Sequence, residues 1–127
     1  MSFHFSKHYT LAEARALLPQ VRKWLEELAR CQERLKPLER RVAALLVSGN
    51  DAGGQAVNQL VLTLADCKTV LNHFRFREIQ IKDLTRGIID FPSLRDDREI
   101  FLCWEKDDED IEYWHDLESG YAGRERL

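Results

Sequence analysis

Asp90, Glu99 and Asp116 are the side chains best placed to do chemistry, because each sits in or beside a short run that reads as a β-strand. Residues 87–91, 98–104 and 110–115 alternate or run apolar over strand lengths, separated by residues 92–97 and 105–109. This predicts a small three-stranded antiparallel sheet. If Phe91 pairs with Arg98 and Glu105 with Asp110, the three carboxylates stand abreast on one face, with Ile88, Phe101 and Trp114 in the adjoining row. Like charges directly opposite one another destabilise a sheet, so the row needs compensation. A divalent cation would supply it, as would an arginine such as Arg86, Arg98 or Arg124, or a raised pKa on one acid. An oxygen-only ligand set predicts Mg²⁺, Ca²⁺ or Mn²⁺ rather than zinc.

The same register turns Ile89, Phe91, Ile100, Leu102, Trp104, Ile111, Tyr113 and His115 toward the core. Cys103 and His115 then point to opposite faces, which rules against a nucleophile and base pair, since these need hydrogen-bond reach. His115 joins the carboxylates only if the register shifts. His4 and His8 have the spacing of a helical metal pair but precede the first helix, on an end expected to be mobile. His73 reads as a residue favoured by a helix C-terminus. The sequence contains neither a phosphate-binding glycine loop nor a nucleophile elbow.

The elements that must carry this sheet are helical. Thr10 followed by Glu13 is a capping-box signature, so a helix should start there. Ala14, Leu17, Val21, Trp24, Leu28, Cys31, Leu35, Leu38, Val42 and Leu45 recur in steps of three and four, a coiled-coil seam that stays in phase across Pro19 and Pro37. Kinks, not breaks, are expected at the prolines. Residues 48–54 supply a turn, and a second helix over about 55–77 repeats the seam with Val57, Leu60, Leu64, Cys67, Leu71 and Phe74. The expected fold is α+β: a long antiparallel helical hairpin over about 10–78, a β segment over about 82–117, and a tail over 118–127, all one domain.

Between Gln55 and Phe74 the formal charges are Asp66 and Lys68, so the second helix carries more apolar surface than one partner helix can cover. A homodimer built as a four-helix bundle is the expected assembly. Charge is uneven along the chain. Residues 1–94 hold 14 Lys and Arg against 10 Asp and Glu, whereas residues 95–127 hold 5 against 12. An acidic C-terminal region argues against nucleic acid, which needs a clustered basic face. Three cysteines without metal-type spacing, an opening stretch unlike a secretory signal, and no apolar run of membrane length predict buried free thiols in a cytoplasmic protein.

Lys82-Asp83-Leu84, the run from Gly87 to Pro92, Leu102-Cys103-Trp104, Tyr113-Trp114-His115 and the run from Gly120 to Arg124, together with Leu17-Leu18-Pro19, give the chain a resemblance to a bacterial family, domain of unknown function 2203. The resemblance covers nearly everything after Tyr9 and implies no activity. Two functions therefore follow from the residues themselves. One is a dimeric interaction module presenting Ile88, Phe101, Trp114 and Arg124 to a protein or small molecule. The other is a metal-dependent hydrolase or lyase using Asp90, Glu99 and Asp116.

Overall fold

The computed structural model describes residues 2–49 and 54–127. Two helices precede an antiparallel sheet. The first helix, α1, spans Leu11–Val47, and the second, α2, spans Gln55–Arg75. The capping box forms as its residue types require: Glu13 N–H donates to Thr10 Oγ1 at 3.1 Å, and Thr10 N–H donates to Glu13 Oε1 at 2.9 Å. α1 runs unbroken through Pro19 and Pro37. At the end of α2 the chain leaves through a Schellman turn, with Ile79 N–H on the Phe74 carbonyl, Glu78 N–H on the Arg75 carbonyl, and Glu78 at φ 57. Buried Phe74 and Ile79 accompany that turn. Of the turn expected over 48–54, residues 50–53 lie outside the described residues.

The fold gathers into two compact units. The helical unit, Trp24–His73, contains most of both helices. Here the Trp24 and His73 rings stack at 4.8 Å, and Arg34 Nη2 lies 3.1 Å from Asp66 Oδ2. Leu28, Cys31, Cys67 and Val70 are buried. The seam expected on α1 is followed at Leu35, Leu38, Val42 and Leu45, each less exposed than its neighbours, whereas nearer the start of α1 Leu18 is buried and Leu17 only half-buried. On α2 it holds at Cys67 and Phe74, which are buried, but not throughout. Thr63 and Val70 are buried, while Leu64 and Leu71, expected on the seam, are 48% and 42% exposed along with Val61 and Leu62.

The second unit joins the residues up to Lys23 to Phe74–Leu127. Its sheet has five strands rather than three: β1 Gln80–Asp83, β2 Ile88–Arg95, β3 Arg98–Glu105, β4 Tyr113–Asp116 and β5 Glu125–Arg126, in sequential antiparallel order. β1 and β5 escape a pattern search because four and two residues are too few to alternate. β2 continues through Pro92 and Ser93, where a loop is expected from the sequence. Pro92 fits because its carbonyl, and so the side where its N–H would lie, faces Tyr9 N–H at 2.7 Å and not the β3 ladder. The hairpin then closes over Asp96 and Asp97 at φ 50 and 62, a tight two-residue turn. Gly87 turns β1 into β2 at φ +68, and a Cβ there would meet Lys106 Cβ at 2.7 Å.

One face of the sheet packs on the start of α1. Ile89, Phe91, Ile100, Leu102 and Trp104 are all buried, as expected, and with them Ala14, Leu18 and Val21. The Tyr9 ring meets Phe91 edge-on at 5.7 Å, and the Arg22 guanidinium lies 4.8 Å from the Trp104 ring. Arg22 also donates to the carbonyls of Lys106 and Asp108, holding the loop between β3 and β4. Among the described residues, no helix is long and apolar enough to cross a membrane.

Candidate metal centre

Pairing within the sheet decides which polar side chains meet. Asp90 faces Cys103, Glu99 faces Leu94 and Asp116 faces Ile100, so the carboxylate row does not form. The expected β2 and β3 partners were wrong by an even number of residues, which left their faces unchanged. Those of β3 and β4 were wrong by one, because Cys103 faces Tyr113, and that slip turns β4 over. The cause is the loop after Glu105, which Arg22 and the Trp104 Nε1 bond to the Asp108 carbonyl extend beyond a tight hairpin.

Each expected site residue therefore has its own setting. Asp116 accepts the backbone N–H groups of Glu118 and Ser119, a capping role that holds its carboxyl below the usual range. Glu99 accepts the N–H groups of His4 and Phe5 and lies 2.9 Å from His8 Nε2, so the N-terminal stretch is tied down. Burial opposes these bonds but does not cancel them, and the Glu99 pKa is lowered. Ile88 and Phe101 are buried, and Trp114 lies on the opposite face under Arg95, 4.5 Å from its ring. Ile88, Phe101 and Trp114 thus form no common docking row.

What the slip brings together is Asp90, Cys103 and His115. All three are buried, and their ligand-capable atoms lie within 4.8 Å of one another. His115 Nε2 is 2.9 Å from Asp90 Oδ2, and Nδ1 is 2.6 Å from the Asp116 carbonyl oxygen. A carbonyl only accepts, so Nδ1 carries a proton. Nε2 and Asp90 then share the remaining proton, as an ion pair or as a neutral pair. Burial pulls the imidazole pKa down, but the Asp90 bond, the Asp116 carbonyl and the Asp90 charge outweigh it, and the pKa is raised. Burial, then the neighbouring Asp90, push the Cys103 thiol up to about 12 against an opposing pull from Arg124. Asp90 Oδ1 is buried without a hydrogen-bond partner among the described residues, and so is Arg124 Nη1.

Residues 7–127 match a family model described as an uncharacterized conserved protein, DUF2203. The chain belongs to that family. No curated protein and no solved structure matches it. The DUF2203 site is thus read from its own geometry, which supplies one imidazole nitrogen, one sulfur and one or two carboxylate oxygens from three strands. The sequence held one overlooked signal for it. Asp90 interrupts the otherwise apolar run from Ile88 to Phe91, and strand alternation puts it on the face of Ile88, so an acid stands in an apolar strand where it needs a polar partner.

Proposed function

We propose that this DUF2203 protein binds a divalent transition metal, zinc or a zinc-like ion, through Asp90, Cys103 and His115. The observation that carries the reading is the tautomer of His115. Its Nδ1–H is committed to the Asp116 carbonyl, which leaves Nε2 with a lone pair aimed at Asp90 and Cys103 whenever the shared proton departs. A ligating histidine is held in the same way, with its second nitrogen donating to a carbonyl or carboxylate. A thiolate, an imidazole and a carboxylate suit zinc rather than Mg²⁺ or Ca²⁺, so the donor set revises the metal expected from oxygen ligands alone.

Energetics support the same reading. A buried His and Asp pair contributes little net stability, and well-packed apolar residues of similar size are often as good or better. Asp90 additionally leaves Oδ1 unpartnered at 1% exposure. Metal binding would use both atoms and displace the protons on Cys103 and on the shared His115 and Asp90 bond. Three protein ligands leave at least one coordination position free, the arrangement of a metal that handles a substrate. Titration with Co²⁺ tests this. One equivalent per chain with a thiolate-to-cobalt charge-transfer absorption, lost in Cys103→Ser, is expected; failure to retain cobalt, or an absorption that survives the substitution, would overturn it.

A second reading concerns the helical unit, in which we infer an antiparallel hairpin that pairs with a second copy. Support comes from the order of contacts, because Trp24 meets His73, Cys31 neighbours Cys67 and Arg34 meets Asp66, one number rising as the other falls. Val61, Leu64 and Leu71 then line an outer face of α2 at helical spacing, and all are exposed. A second copy offers the same apolar face, and a two-fold interface needs such self-complementarity. The mass of the particle in solution tests it.

A further inference from the structure

The surroundings of Arg124 point beyond the metal to what accompanies it. The guanidinium carbon lies 4.0 Å from the Tyr113 ring and 4.0 Å from the Tyr121 ring, so the plane of the group is clamped between two aromatic faces. A clamped guanidinium directs its N–H groups along fixed lines and cannot swing outward to find an acceptor. Nη1 nevertheless has no acceptor among the described residues although it is buried. Glu105, a carboxylate on this side of the sheet, is already engaged. Its Oε1 takes Arg86 at 2.9 Å and its Oε2 takes the Tyr121 hydroxyl at 3.2 Å.

Two buried orphan atoms of opposite character thus lie near Cys103, the Asp90 oxygen and the Arg124 nitrogen. They do not satisfy each other. A metal on Asp90, Cys103 and His115 would satisfy the oxygen and leave the nitrogen wanting. The charges agree with that division, since a divalent ion with one carboxylate and one thiolate sums to zero and the guanidinium adds an uncompensated positive charge. Arg124 as a whole is half-buried, but its Nη1 is fully buried, and an anion beside that nitrogen would satisfy it.

We propose that the free coordination position at this site takes the carboxylate group of a small molecule, and that Arg124 Nη1 donates to that carboxylate's second oxygen. A planar carboxylate can bond the metal through one oxygen and a guanidinium through the other. This rests on the metal reading above. Arg124 is the recognition residue, and Tyr113 and Tyr121 position it. The ligand class follows as small organic acids rather than neutral or cationic compounds.

The experiment uses the full chain loaded with Co²⁺, with sodium acetate as probe and inorganic phosphate and imidazole as comparisons. Acetate should shift the visible cobalt spectrum saturably, and Arg124→Gln should weaken that response by about tenfold to a hundredfold, the worth of one charge-assisted hydrogen bond. The charge-transfer absorption should persist in the variant, because Arg124 is not a ligand. If Arg124→Gln does not fold, Tyr121→Leu, which removes one wall of the clamp, should weaken acetate in the same direction. Cobalt binding with no acetate response, an equal response in the variants, or a stronger response to imidazole or phosphate would overturn the carboxylate proposal and leave the metal reading standing. Absence of cobalt binding would remove both.

Discussion

His115 and Asp90 share a single proton across 2.9 Å, because the Asp116 carbonyl has already fixed a hydrogen on the other ring nitrogen. A metal and an asparagine side chain would each exploit this asymmetry differently. In Asp90→Asn the amide N–H can donate to the bare Nε2 of neutral His115, so with chelator present the variant should unfold within about 1 kcal/mol of the parent. Asp90→Leu leaves Nε2 buried without a partner and should cost about 1–3 kcal/mol. Zinc should raise the unfolding midpoint of the parent with a concentration dependence set by binding to the folded state, and should leave Asp90→Asn unmoved. Denaturant melts of the three proteins with and without zinc check all of this. A zinc response retained by Asp90→Asn would contradict the assigned ligand.

Glu99 predicts an acid-labile N-terminal stretch. Its pKa is lowered in the fold, since the bonds from His8, His4 N–H and Phe5 N–H outweigh burial. A depressed carboxylate contributes stability that is present above its unfolded pKa, about 4.3, and is lost as pH falls through the lower folded value. Below that window the His4 and Phe5 amides should lose protection from hydrogen exchange before the sheet does. Glu99→Gln should produce the same loss at neutral pH, at about 1–3 kcal/mol for bonds to a charged acceptor. Protected His4 and Phe5 amides in that variant would show that Phe5, edge-on to Phe101 at 5.4 Å, holds the stretch by itself.

Much of the fold was legible and the site was not, for one physical reason. Helical seams repeat over many turns, so an error at Leu64 or Leu71 leaves the rest of the α2 assignment intact. The capping box and the apolar strand faces were equally local signals. Strand register across a loop is non-local: it depends on how Arg22 on α1 grips the carbonyls of Lys106 and Asp108, which no pattern within 98–116 records. A slip of one residue there turns His115 away from Asp90, and the separate offset of four between β2 and β3 sets Asp90 opposite Glu99 in place of Cys103.

Cys31 and Cys67 should behave as one buried pair. Burial, together with the neighbouring Cys31, pushes the Cys67 thiol up to about 11, so its reactive thiolate is scarce at neutral pH. Alkylation of the folded protein should leave both thiols intact and proceed only after denaturation. Rapid labelling of either at pH 7 would mean that the two helices separate in solution.

The helical unit yields the sharpest contrast between folding and assembly, because its two apolar faces differ in burial. Val70 is 8% exposed and Leu64 is 48% exposed, six residues apart on α2. Val70→Glu would bury a carboxylate without a partner, at several kcal/mol, and should unfold this unit. Leu64→Glu instead places the charge on the outer face, so a single chain should tolerate it within about 0.5 kcal/mol. If that face pairs with a second copy, two added carboxylates meet across the two-fold axis and the assembly should dissociate. Light scattering at micromolar concentration should therefore give twice the chain mass for the parent and the single mass for Leu64→Glu, with the helical circular dichroism retained. A parent protein that scatters as one chain, or a variant that remains paired, would remove α2 as the interface.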